Sequence, residues 1–441
     1  MHLMDLVSDF IWLRRPLTHI PDRFVDTHTH APQYPNTGLF GSTTLLSWLQ
    51  TYTYPIESSF SSLDRAAHIY KRAVSRSLAH GTTTAAYYST VHVPATNLLA
   101  EIAYSKGQRA FVGRVCMDSD QNPDYYRDDG PDDALTKTKE TIQHINDLDS
   151  DHDLITPIVT PRFAPSCTKD CLSRLGKLAK ENDLPIQTHI SESVDEIALV
   201  KKLFPEQASY TEVYDAHGLL TSRTVLAHGI HLSREETELI KKRGAGVSHC
   251  AVSNSYLSSG LCYVRGLLDG GIKVGLGTDV SGGWSPSILT AAREAIGVSR
   301  ILSAVQSQSL QGQNTETVGG LQRAEENTSR EMTADQAERT KLSVEEALYL
   351  ATIGGARCLG LGHKVGSFEV GKEWDAQLIV CNNFIDSGSA EGNNRHGEED
   401  DNPIEIWGKE TWSEKVAKWV FTGDDRNVQG VWVKGRKVCD R

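Results

Sequence analysis

The chain has 441 residues, ordinary apolar (39%) and charged (23%) fractions, and a formal net charge of −12. That length suits a barrel of roughly 250 residues or more plus an appendage, and the apolar fraction supports a sizeable core. The acidic balance, with no cluster of Lys and Arg, excludes a nucleic-acid surface that works by neutralising phosphates, but not a small ligand without phosphate.

The N-terminus is acidic early, and its short apolar run is followed rather than preceded by Arg14 and Arg15, the wrong order for a signal peptide. No stretch approaches the ~18 apolar residues of a membrane span. The eight cysteines show no zinc-finger spacing. Cys167 and Cys171 form a CxxxC read as turn or helix residues packing inward. This usage suits a reducing compartment, and the expectation is a cytosolic protein that uses neither membrane nor nucleic acid as partner.

From residue 24 to about 300, short β-rich runs alternate with helical ones. The expected strands are 24–28, 82–89, 109–116, 155–163, 184–190, 224–229, 245–250 and 273–279. Most are near-continuous apolar runs, as parallel strands buried on both faces require. Between them, 63–81 is amphipathic and stops at Gly81, and 192–204 and 233–244 behave similarly. Ser233 and Glu236 have the spacing of a capping box. These alternations predict a (β/α)8 barrel, a TIM-like α/β fold, over an open doubly wound sheet.

Residues 306–341 are rich in Gln, Thr, Glu and Ser and are read as a flexible insertion in a barrel domain spanning 24–370. A helix over 343–358 follows, and 377–380, 418–423 and 428–438 are expected strands of a small β domain, 371–441. The stretch 386–402 reads as a disordered loop.

Several expected strands end in a metal-capable or acid–base residue: His28 and His30 on the first, His189 on the fifth, His228 on the sixth and Asp279 on the eighth. Strand C-termini of a barrel converge on one face, so residues distant in sequence meet there. His28 and His30 sit at strand period two and point the same way, as two ligands of one cation must. Imidazoles with one carboxylate suit Zn²⁺ better than Fe²⁺ or Mn²⁺. Glu192, three residues after His189, is placed to shuttle protons. His249 is either a buried structural histidine or a further residue of the metal site, His231 reads as structural, and His92 is ambiguous.

The strings FVDTHTHAPQY, GTTTAAYYST, PIVTPRFAPSC, THISE, VLAHG and GLGTDVSGG resemble the amidohydrolase superfamily, and within it the barrel-type, cytosolic guanine deaminases. The match runs from residue 24 nearly to the end. That resemblance implies one Zn²⁺ held by His28, His30, His189 and Asp279, with His228 orienting the reactive water. It implies acid–base work by Glu192, with Asp279 also acting in catalysis, and substrate contacts from Gln33, Arg162 and Phe163. It also implies a homodimer that hydrolyses guanine to xanthine and ammonia. Two-metal members carry a bridging lysine at the end of strand four, where this chain has Arg162 and Phe163, so a single-metal site is expected.

Two departures stand out. Family members carry a longer N-terminal segment that completes the small β domain as a sandwich. Residues 1–23 do not resemble it, so the expected strands near 377–380 and 428–438 are predicted to lack partners, with an apolar edge and lowered stability. HCAVSN replaces HCPxSN at 249–254, which is expected to alter the loop that follows. The competing readings are a deaminase of another amino-heterocycle (triazine, adenosyl nucleoside or pterin) and a catalytically silent scaffold. The second would be expected to have lost ligands that this chain keeps.

Overall fold

The computed structural model describes residues 23–310, 333–383 and 402–440. Its first part is a set of parallel strands: β1 (Phe24–His30), β2 (Thr82–Tyr88), β3 (Arg109–Gly113), β4 (Val115–Cys116), β5 (Ile155–Pro157), β6 (Thr160–Pro161), β7 (Ile186–Ile190), β8 (Thr224–His228), β9 (Gly246–His249) and β10 (Lys273–Leu276). The expected runs 109–116 and 155–163 are each broken in two, giving β3 with β4 and β5 with β6. The strands pair in the orders β1-β2-β3-β5 and β7-β8-β9-β10. Two seams join these halves. Val159 bridges to Ile186 on one side. On the other, Asp279 N donates to His28 O at 2.9 Å and His30 N to Val280 O at 3.1 Å. The result is the expected closed parallel barrel, wrapped by helices.

Local sequence explains the helix ends. The helix Leu63–Ala79 stops because Gly81 turns with φ +83°. A Cβ there would lie 1.9 Å from Gln377 Oε1, so this glycine also permits a close approach of the C-terminal strands. The helix Arg234–Arg243 is capped reciprocally: Glu236 N donates to Ser233 Oγ (3.2 Å), and Ser233 N to Glu236 Oε2 (2.9 Å). The expected helix over 343–358 is present as Val344–Tyr349 and Gly355–Cys358 joined by a π-helical turn, Leu350–Gly354.

The C-terminal part forms a small antiparallel sheet from β11 (Ala376–Ile379), β14 (Val428–Val433) and β15 (Arg436–Asp440), in the order β11-β14-β15; two short strands, β12 (Asn382–Asn383) and β13 (Glu405–Ile406), pair beside it. It docks where the barrel strands begin. Trp419 stacks on Phe24 with ring centroids 5.8 Å apart, and Arg23 Nη1 donates to Asp375 O at 3.0 Å. Asp375, fully buried, takes Arg109 Nη1 at 2.7 Å and the backbone N–H of Lys434 at 2.9 Å. The site lies at the opposite end of the barrel.

Three expectations are corrected. The strands near 377–380 and 428–438 do not lack partners, since β11 pairs with β14 and β14 with β15. Residues 418–423 are not a strand but the end of a helix, Trp412–Thr422. Thr411 and Glu414 form its capping box, and Val416, Trp419 and Val420 lie on one buried face at helical spacing. The stretch 306–341 is not irregular throughout: a helix, Ile288–Leu310, runs into it, and another, Ala334–Arg339, lies near its end. The predictions for residues 1–22 and for most of 386–402 fall outside the described residues, as does the middle of the 306–341 stretch. No helix among the described residues is long and apolar enough to cross a membrane.

Candidate active site

Period-two spacing on β1 brings His28 and His30 into the barrel mouth together. Asp279, just beyond β10, meets both: its Oδ1 is 3.1 Å from His28 Nε2 and 3.4 Å from His30 Nε2. His30 Nε2 lies 3.2 Å from His189 Nε2 at the end of β7. His228, which ends β8, places Nε2 3.8 Å from Asp279 Oδ2 and 3.3 Å from Glu192 Oε2. His28, His189, His228 and Asp279 each put one donor atom within 4.8 Å of the others, all buried. His30 adds a fifth at the contacts given above.

The ring orientations are set from outside the cluster. His189 Nδ1 donates to the carbonyl of Arg162 (2.6 Å), and His228 Nδ1 to Asn254 Oδ1 (2.9 Å). An oxygen acceptor fixes the proton on Nδ1 and leaves the Nε2 lone pair pointing inward. Tyr88, at the end of β2, packs its ring against His28, His30 and His189 at centroid distances of 4.7, 4.6 and 4.9 Å. His228 (φ +73°) and Asp279 (φ +45°) hold left-handed backbone conformations without being glycine. Such conformations persist where surrounding structure enforces them and gather at functional sites. Gly277 lets β10 approach β1 here, since a Cβ would lie 2.8 Å from that of His28.

Electrostatics separate the groups by role. Burial holds His28, His30 and His189 below the usual imidazole range, which favours the neutral form that can lend a lone pair. Burial also pulls His228 down, but the carboxylates of Glu192 and Asp279 outweigh it and raise the group. Burial would raise Asp279, yet His28, His228 and His189 together hold its carboxyl well below the ordinary range. Glu192, buried and bonded by Ser259 Oγ at 3.4 Å, is pushed up to about 8, chiefly by burial. The Nε2 atoms of His28 and His228 are buried and make no well-formed hydrogen bond, meeting only the carboxylates of Asp279 at 3.1 Å and Glu192 at 3.3 Å. Buried polar atoms left this way call for an ion or water. Neutral imidazoles around one ionised carboxylate are a donor set that fits Zn²⁺.

Above the cluster opens a cleft of about 390 Å³, lined by Gln33, Trp48, Arg162, Phe163 and Glu192 among others. Every expected site residue is thus in one place. Sequence reasoning missed Asn254 and Tyr88, which contact the histidines, and Glu57, which accepts from Arg162 Nη1 at 2.6 Å and Gln33 Nε2 at 2.8 Å. One signal for Glu57 was available: it is the single Asp, Glu, Lys or Arg between residues 27 and 63.

Other candidates resolve differently. His249 is buried, keeps both ring nitrogens without a hydrogen-bond partner, and is held down to about 4 by burial and His228. His231 Nε2 bonds the carbonyl of Ser259 at 2.8 Å, a structural contact as expected. His92 precedes the helix Val93–Lys106 and pairs with Thr90 Oγ1 at 3.1 Å. Cys167 and Cys171 pack inward beside Asp118. That carboxylate already takes Thr168 N at 2.7 Å and Thr168 Oγ1 at 2.6 Å, and Cys167 Sγ donates to Cys116 O at 3.2 Å. Ala251 opens the helix Ala251–Tyr256 at a position where proline and alanine both fit, and Asn254 on that helix still reaches His228.

A parallel barrel with histidines and an aspartate converging at the C-terminal ends of its strands defines a class of hydrolase. The chain belongs to the amidohydrolase family, whose model matches residues 24–438. It is 47% identical over 424 residues to a probable guanine deaminase of Schizosaccharomyces pombe, covering 96% of this chain and 72% of that protein. It is 39% identical over 419 residues to guanine deaminase of Homo sapiens, covering 94% and 81%. Among solved structures, guanine deaminase from C. acetobutylicum with guanine bound in its active site superposes with a TM-score of 0.77 at 34% identity, covering 95% of this chain and 86% of that one.

Proposed function

We propose that the protein hydrolyses guanine to xanthine and ammonia, with Zn²⁺ held by His28, His30, His189 and Asp279. The observation that carries this is the meeting of buried, inward-facing imidazole nitrogens with Asp279 and Glu192 beneath a cleft walled by Gln33, Arg162 and Phe163. The similarity to guanine deaminases supports the choice of substrate. When bound, Zn²⁺ supplies Lewis acidity that brings the pKa of a water toward ~7.

The chain's own groups do the rest. His228 and Asp279 hold and aim the attacking water at C2, the carbon bearing the exocyclic amine. Glu192 moves the protons. Adding water across C2=N3 puts one water proton on N3. On collapse of the tetrahedral carbon the other leaves with the amine as ammonia, and C2 becomes a carbonyl. A glutamate pushed up by burial is suited to both giving and taking a proton near neutrality. Phe163 offers a ring face to the purine, and Arg162 a donor to its oxygen. Arg162 stands where a two-metal relative would carry its bridging lysine, which supports one metal per chain.

The reading includes a homodimer and a cytosolic location. All eight cysteines are free thiols, as a reducing compartment favours. The test is ammonia release from guanine with zinc measured on the same sample. Activity with about one zinc per chain is expected. Zinc without activity would redirect the assignment to another amino-heterocycle, and absence of both would make the silent scaffold the better reading.

A further inference from the structure

Glu57 lies in the helix Tyr54–Ser58 and is fully buried. Its Oε1 accepts from Gln33 Nε2 (2.8 Å) and Arg162 Nη2 (3.2 Å), and its Oε2 from Arg162 Nη1 (2.6 Å) and Tyr126 Oη (2.7 Å). One carboxylate therefore ties together two residues of the cleft wall that come from separate parts of the barrel. Tyr54 backs the same guanidinium, with its ring centroid 5.4 Å from Arg162 Cζ.

The other end of Gln33 is also occupied. Its Oε1 accepts from Ser281 N and Ser281 Oγ, both at 3.2 Å. A backbone N–H can only donate and a carboxylate can only accept. The same orientation of the Gln33 amide is thus demanded at both ends. Both lone pairs of its oxygen are used, and one Nε2 hydrogen is left over. Arg162 carries donors only. With Glu57 in place, the side chains of Gln33 and Arg162 offer the cleft N–H groups and no acceptor.

We propose that Glu57 is the positioning residue that sets substrate specificity, by locking Gln33 and Arg162 into a donor-only wall that takes a heterocycle edge bearing a carbonyl and rejects one bearing an amino group. This rests on guanine as substrate: its O6 and N7 are acceptors, whereas a 6-amino purine would set donor against donor. Sites built around a specific hydrogen bond reject the mismatched analogue strongly, because buried partners are then left unpaired. Without the carboxylate, Gln33 loses one of the two constraints on its orientation, and Arg162 loses its counter-charge.

The experiment compares guanine with 2,6-diaminopurine, which keeps the 2-amino leaving group and carries an amine at C6. The wild-type enzyme is expected to favour guanine in kcat/KM by at least about 100-fold. In Glu57→Gln, KM for guanine is expected to rise about tenfold or more, kcat to change much less, and the preference to fall at least about tenfold. Glu57→Asp, which keeps the charge, should recover part of the preference. A folded, metal-loaded Glu57→Gln with the wild-type ratio overturns the proposal. Should that variant fail to fold, competition on the wild type decides. Inhibition of guanine turnover by hypoxanthine but not by adenine supports the donor-only wall, and equal inhibition overturns it. A wild type inactive on guanine overturns the substrate reading instead, which separates the two failures.

Discussion

The two ends of the barrel treat buried charge in opposite ways. Where the strands begin, Arg109 and Asp375 pair at 2.7 Å, the remaining oxygen of Asp375 takes the N–H of Lys434, and Glu373 joins them. Where the strands end, imidazole nitrogens make no well-formed hydrogen bond, His228 and Asp279 hold left-handed backbone, and Glu192 is pushed far from its ordinary pKa. At one end buried ion pairs hold the C-terminal sheet to the barrel, although Arg109 Nε, Trp419 Nε1 and the Gln377 amide there make no hydrogen bond. At the other end histidines and carboxylates are gathered around one point, the arrangement on which the proposed metal and substrate binding rests. Stability and activity should therefore respond to different mutations.

The largest effect is expected at the strand ends. Glu192→Gln should lower turnover by about 10³-fold or more while leaving zinc content and melting temperature near wild type. Near-normal turnover in that variant would remove Glu192 from proton transfer. At the other end, Asp375→Ala should cost about 3 kcal/mol of stability, because it strips Arg109 of its best buried partner while Glu373 remains. Denaturant melts check this, and KM for guanine should not move in the protein that stays folded. A change in KM with unchanged stability would erase the contrast between the two ends.

Asn254→Ala tests whether the site depends on groups behind the ligands. Loss of the acceptor for His228 Nδ1 should reduce kcat by roughly 10- to 100-fold with little change in the melt. The smallest effect concerns Glu410, just before the helix Trp412–Thr422. Glu410 is lowered to about 2 by Lys418, helped by the Trp407 N–H. A depressed carboxylate contributes stability that is present above its ordinary value of 4.5 and is lost as pH falls through about 2, since the unfolded chain binds the proton first. Glu410→Gln should flatten that part of the acid stability curve slightly, because an ion pair that solvent still reaches contributes little. Both curves should coincide at neutral pH apart from a constant offset.

The histidines, Asp279 and Glu192 were legible in the sequence because each sits at or just past the end of an apolar run, and barrel geometry makes strand ends neighbours. Gln33, Arg162 and Phe163 were legible through the resemblance. The helix Trp412–Thr422 was misread as a strand because KWVFTG is rich in β-formers, although Thr411 and Glu414 already carried its start signal. Glu57, Tyr88 and Asn254 were not placed, since nothing local to them says which histidine or arginine they will meet.

What the chain by itself determined was the set of metal-capable and acid–base groups, their parity on each strand and their place at strand ends. These follow from period, burial and the repeated strand–helix order. What only tertiary structure decided was the state of each group: which imidazole nitrogen faces inward, which way the Gln33 amide points, and how far Glu192 is pushed up. Those depend on partners as distant in sequence as Ser281 from Gln33. Hydrogen bonds and desolvation act through space, and closing the barrel is what brings such residues within reach of one another.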